Sequence, residues 1–416
     1  MRMRNWISVV TLAGAGFLLS GLANAQQTYR IKVLSTPPDL FLTATGLNNR
    51  GHVAGIVDHY PQDAHIFIYR HGRLTDLGTL GGDVNSRARI NDRDEIVATS
   101  TRAFVWRNGT FQDLTPLGAA SALDINNRGQ ITGQSTNGRA YRITNGLLQD
   151  LGVPGRESEG FVINERGNVA GSFSNGGSHA FLYKQGKVLD ISAPGEPSWV
   201  DGMNDKDQVS VGHYDEEPSF GDISLWTNGV LSPTYWEGSA PVVTNVGDMI
   251  GTESPRIFYP DPVVGIRTGG RTLFLEELID NTDPLKGDAW FGGAADSNVW
   301  GQVLLNGQLR SRPNENGNYL FVLTPVSFPR DLLNERLEQL RGKSDHTALL
   351  KALRRAHAAL NGADQPLVCR VTSDLVVELN TMARNQRADT RIANEIVADE
   401  KNASDLLGCG NDARAP

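Results

Sequence analysis

The side chains best equipped for chemistry form one short run, Asp58, His59, Tyr60, Asp63 and His65. Imidazoles and carboxylates this close together are metal-ligand types. Their spacing follows no established ligand motif, so neither a metal nor a cofactor is expected. Asn91-Asp92-Arg93-Asp94 and Asn204-Asp205-Lys206-Asp207 superficially suggest calcium loops. They lack the alternating acidic ligands and the distal Glu, and read instead as turns. A second set is aromatic: Tyr60, Tyr214, Tyr235, Trp236 and Trp290 lie beside Asp, Glu and Asn in irregular segments. Flat rings next to polar groups are suited to gripping sugars or peptides, and these five are the candidate ligand-binding residues. Asp124, Glu159, Asp201 and Asp296 begin or adjoin expected inner strands, where a pair of carboxylates would serve a polysaccharide hydrolase or lyase. The chain has no Gly-x-Ser-x-Gly, no His-Glu-x-x-His and no phosphate-cradling loop, and no catalytic residue is assigned.

The elements that must position these groups come from a repeat. Leu47-Asn48-Asn49-Arg50-Gly51 recurs as Ile90-Asn91-Asp92-Arg93-Asp94, Ile125-Asn126-Asn127-Arg128-Gly129, Ile163-Asn164-Glu165-Arg166-Gly167 and Met203-Asn204-Asp205-Lys206-Asp207. Two degraded copies follow, around Thr244 to Gly247 and Asn298 to Gly301. The first six lie about 35 to 43 residues apart and the last lags by about 54, a propeller or solenoid period. Each unit also carries β-branched and aromatic runs bounded by Gly and Asn, such as His65-Ile66-Phe67-Ile68-Tyr69 and His179-Ala180-Phe181-Leu182-Tyr183. Four antiparallel strands, a to d, account for one unit, with an Asn-x-x-Gly turn between a and b. Asp94 and Asp207 stand where the turn wants Gly, and Asp tolerates the left-handed region. Seven units predict an all-β, seven-bladed propeller over residues 26–326. The seventh unit lacks a d strand, and residues 28–35 resemble one, so the N-terminal strand is expected to close the ring.

The Asn-x-x-Gly units, His179-Ala180-Phe181 and Asp76-Leu77-Gly78-Thr79-Leu80-Gly81-Gly82 together resemble the bacterial HAF-type extracellular repeat family, over about residues 28 to 326. That resemblance implies secretion and a repeat architecture. It implies no particular activity.

The chain ends agree with export. Arg2 and Arg4, an apolar stretch from Trp6 to Leu22 and Ala23-Asn24-Ala25 read as a secretory signal peptide over residues 1–25. Residues 327–416 change grammar: Leu332, Leu333, Leu337 and Leu340, then Leu349, Leu350 and Leu353, recur at helical spacing and predict a small helical bundle. Cys369 and Cys409, the only cysteines, are expected to form a disulfide in an oxidising compartment. A net charge of −8 argues against nucleic acid as partner. No later segment is apolar enough to span a bilayer. The expectation is an exported, monomeric binding module for a glycan or protein. It would use the variable b–c and d–a loops, with the a–b turn face serving as scaffold.

Overall fold

A computed structural model describes residues 28–326, except 38–39, 60–62, 86, 215–220, 246, 254–262 and 314–317, together with residue 377. Turn chemistry sets the strands. At the c–d hairpins both turn residues have positive φ, at 51° and 77° in His71-Gly72 and at 51° and 80° in Asn108-Gly109. This is the type I′ geometry whose twist suits a two-residue hairpin. At the a–b turns Gly51, Gly129 and Gly167 lie at φ 75°, 74° and 79°. Asp94 and Asp207 adopt the same conformation at 60° and 62°, so the turn survives the loss of its glycine.

The resulting sheets make seven blades of a propeller. The first four cover residues 41–78, 89–113, 124–150 and 158–190. Blade 7 consists of Ala289–Ser297, Val303–Leu309 and Tyr319–Pro325, and its outer strand is Tyr29–Val33. Tyr29 pairs with Pro325 and Val33 with Phe321, antiparallel, so the N-terminal strand closes the ring. Blades 5 and 6 depart from expectation. A single strand, Val230–Val243, is the last strand of blade 5 and the first of blade 6, joining them in one seven-stranded sheet. The segment from Ser232 to Ala240 is therefore strand rather than variable loop. Its prolines mislead the reading, but Pro233 and Pro241 each fall at a register shift, where the ladder loses little.

Between blades the core is built from one repeated pair. Gly55 faces Phe67, Gly133 faces Tyr141 and Gly171 faces Phe181 across strands b and c, and all three rings are fully buried. A Cβ on Gly171 would overlap the Glu159 carbonyl oxygen of strand a, and one on Gly55 would meet the Thr43 carbonyl and the Phe67 ring. The glycine admits the close approach of strand a, and the aromatic ring covers the gap it leaves.

The helical bundle expected over 327–416, with Cys369 and Cys409, and the signal peptide over 1–25 lie outside the described residues, residue 377 apart. Among the described residues no helix is long and apolar enough to cross a membrane.

Candidate functional site

The Asn that opens each a–b turn has two bonding roles. Its carboxamide oxygen accepts backbone N–H groups two and four residues on, as Asn126 does from Arg128 (3.1 Å) and Gln130 (3.0 Å). Its amide nitrogen donates to the turn carbonyl of the next blade. Asn48 donates to Asn91, Asn91 to Asn126, Asn126 to Asn164, Asn164 to Asn204 and Asn204 to Thr244, at 2.7–3.2 Å. Asn298 donates onward to Asn48 at 3.1 Å. Blade 6 carries Thr244 in this place. Its hydroxyl oxygen accepts from the Asp248 N–H, but it has no amide to offer blade 7.

The next residue of each turn forms a second ring. The Asn49 N–H donates to Asp92 (2.7 Å), Asp92 to Asn127 (2.7 Å), Asn127 to Glu165 (2.9 Å), Glu165 to Asp205 (2.9 Å) and Asp205 to Asn245 (3.0 Å). In blade 7 the Val299 N–H donates to Asn49 at 3.1 Å.

A third layer lies deeper and is ionic. Arg89 sits between Asp124 (3.3 Å) and Asp296 (3.1 Å) and also donates to the Thr45 carbonyl (2.7 Å). Asp296 accepts the Leu47 N–H of blade 1, Asp124 the Ile163 N–H of blade 4 and Asp201 the Ala240 N–H of blade 6, at 2.8–2.9 Å. These carboxylates are inter-blade staples. Burial alone would lower the Arg89 pKa, but the Asp296 and Asp124 charges overcome it and hold the guanidinium ionised.

Together the layers line a cavity of about 910 Å³, its open mouth included, that takes in the a–b turns and Arg89. Its wall carries five carboxylates, Asp92, Asp124, Glu165, Asp205 and Asp296, and the guanidinium of Arg89, a formal charge of −4 when Glu165 is ionised, while the buried Arg87 guanidinium behind the wall also interacts with Asp124 and Asp296. Burial pushes Glu165 up to about 7, with Asp205, Asp92 and Asp124 adding repulsion and the Asn127 N–H opposing it. Glu165 therefore changes charge near neutral pH.

The sequence-predicted residues fare unevenly. Trp236 is fully buried between blades 5 and 6, in a cluster with Ile223 and Met249, with its indole N–H donated to the Thr252 carbonyl (3.1 Å). Tyr214 is exposed and rests against Trp199, ring centroids 4.8 Å apart. Trp290 is half-buried on the first strand of blade 7. Tyr235 lies on the strand shared by blades 5 and 6, and Tyr60 falls outside the described residues. Tyr214, Trp236 and Trp290 do not line the central cavity. The carboxylates Asp124 and Asp296 do meet at Arg89, while Glu159 accepts from the Ser121 hydroxyl at 2.8 Å. Arg89 was missed by sequence reasoning although it had a signal. It stands two residues ahead of the turn Asn, the register position of Asp124 and Asp296.

No family model matches the chain, and no curated protein matches it. Solved structures do, a β-propeller domain among them. The β-propeller domain of the trilobed protease from Pyrococcus furiosus is 12% identical, covers 69% of this chain and 97% of that one, with a TM-score of 0.44. A puromycin-hydrolyzing peptidase of Mycobacterium tuberculosis is 12% identical over 68% of this chain and 52% of its own, with a TM-score of 0.42. TolB from Acinetobacter baumannii is 12% identical over 49% and 61%, at 0.35. This chain thus spans under two thirds of the peptidase and of TolB. The likeness concerns fold alone.

Proposed function

We propose that the chain is an exported binding module whose central funnel receives a cationic group of a protein or peptide ligand. The observation that carries this reading is the funnel wall, five carboxylates against one arginine. A positive charge about 6 Å from one such carboxylate gains roughly 3 kcal/mol at an effective dielectric of 20. Several in one concave site exceed the cost of fixing a flexible side chain. The turn amides are already paired around the rings, so charge rather than unpaired hydrogen bonding is what the mouth offers. Export is supported by the charged and apolar N-terminal pattern with its Ala-Asn-Ala site. The hydrolase reading has less support, because Asp124 and Asp296 already hold Arg89 and backbone N–H groups.

Calorimetric titration of the protein with a short lysine-rich peptide and with its acetylated, neutral analogue tests this. The cationic peptide is expected to bind, at least tenfold more weakly to the Glu165→Gln/Asp205→Asn variant and more weakly as salt rises above about 0.15 M. Equal binding of the two peptides, or binding indifferent to the variant, would overturn it.

A further inference from the structure

In blades 1 to 4 a basic residue at the start of strand c faces an Asp eleven residues later in strand d. The pairs are His65 with Asp76 (3.0 Å), Arg102 with Asp113 (3.1 Å), Arg139 with Asp150 (3.9 Å) and His179 with Asp190 (3.4 Å). Each of these Asp residues also accepts the backbone N–H two residues on, at 2.8–3.0 Å. The pair is thus part of the scaffold, and by itself it binds nothing.

Blade 1 adds something the other three lack. His59, just beyond strand b, turns its Nε2 to the same Asp76 carboxylate at 2.7 Å, and its ring lies 4.7 Å from that of His65. In blade 4 it is Phe173, in the strand b register position of Val57 rather than of His59, that stacks on His179, at 4.9 Å and 23°.

The three donor atoms in blade 1, His59 Nε2, His65 Nδ1 and one Asp76 oxygen, lie within 4.8 Å of one another, and all three residues keep one side open to solvent. Around a tetrahedral zinc ion, donors at about 2.0–2.1 Å sit roughly 3.3 Å apart. The two His–Asp separations of 2.7 and 3.0 Å need to widen by about 0.3–0.6 Å, and the two imidazole nitrogens lie within 4.8 Å of each other. Strands c and d hold two of the ligands, so the site is largely preformed. On metal binding each ring would carry its proton on the nitrogen facing away from the ion.

We propose that His59, His65 and Asp76 form a surface site for a divalent transition metal of the zinc class, with at least one coordination position open outward. Two imidazoles and a carboxylate select such ions over magnesium or calcium, which take oxygen ligands. The sequence had offered the neighbours Asp58 and Asp63 as partners of the histidines. The ligand the fold supplies is Asp76, from another strand.

The test is titration of the full-length, chelator-treated protein with Zn²⁺ by calorimetry, and with Co²⁺ by visible absorption. Wild type is expected to show one equivalent of binding that His59→Phe weakens at least tenfold. Asp76→Asn should weaken it comparably and His179→Ala should leave it unchanged. Thermal melts of His59→Phe establish that it folds, and any binding elsewhere in the chain is common to it and to wild type. Absence of stoichiometric binding in wild type, or equal binding in wild type and His59→Phe, would overturn the proposal.

Discussion

The joints that follow blades 1 to 5 and the joint from blade 6 to blade 7 are locked by different means. Through the first five, each turn passes an Asn amide to the next turn and each second position passes a backbone N–H, so two polar rings run unbroken. At the sixth blade Thr244 offers no amide forward, and Val299 of the seventh has no polar side chain to receive one, although Asn298 and the Val299 N–H still donate to blade 1. Apolar packing is heaviest there instead. The cluster spanning blades 6 and 7 holds fifteen buried residues, including Tyr29, Phe291 and Phe321, against eight in the cluster between blades 3 and 4. Even the turn after blade 7's first strand is pinned by an aromatic, Trp300 donating its indole N–H to the Asn49 carbonyl at 2.7 Å. The comparison teaches that repeated hydrogen bonds and repeated hydrophobic contact are exchangeable ways to fix one blade on the next. The repeat signature records only the first.

The harshest test is one the two regions should share. Gly171 in blade 4 and Gly251 in blade 6 both face a strand a carbonyl where a Cβ would overlap, Glu159 and Ser239 respectively. Gly171→Ala and Gly251→Ala are each expected to cost about 3 kcal/mol or more in denaturant unfolding. A large cost in one and none in the other would show that the blades do not share a backbone frame.

The regions should separate when the turn residue is changed. Asn164 bonds Arg166, Asn168, Asn204 and Asp207, so Asn164→Ala is expected to cost about 2–4 kcal/mol. Thr244→Ala, losing the bond from Asp248, should cost under about 1 kcal/mol. Equal losses would remove the distinction drawn here.

A further difference belongs to Glu165 and depends on pH. Because its pKa is raised to about 7, the folded protein holds more protons than the unfolded chain between the ordinary Glu value and about 7. Stability contributed by this group is therefore full below that window and falls as pH rises through it. Glu165→Gln keeps an acceptor for the Asn127 N–H and is expected to stabilise the protein by about 1–2 kcal/mol at pH 8. The gain should vanish near pH 4. Melting temperatures of the two proteins across this range check the sign.

Much of the fold was legible because its rules are local. The Asn-x-x-Gly period, the Asp residues at 94 and 207 and the missing seventh d strand all act within a few residues or by simple counting. What escaped depends on neighbours some 40 residues away. Nothing near Asn126 says that its amide reaches Asn164, and nothing near Trp236 says that strand Val230–Val243 carries it into a core. The funnel was missed for the same reason, since its wall takes residues from all seven blades. Where a site signal did exist, it was a register: charges two positions before the turn Asn, and an Asp eleven after a basic residue.

The pairing of Tyr29–Val33 with Tyr319–Pro325 also sets a schedule for assembly. Ile31 and Leu323 meet across 292 positions, and joining chain ends so far apart costs roughly 5 kcal/mol of loop entropy, against about 2 for a ten-residue hairpin. Each blade's internal hairpins close over far shorter spans and can form early. The clasp must wait until nearly the whole ring is built, so the annulus shuts last and slowly. Until it does, two strand edges stand open at the same place, and a second chain could enter there.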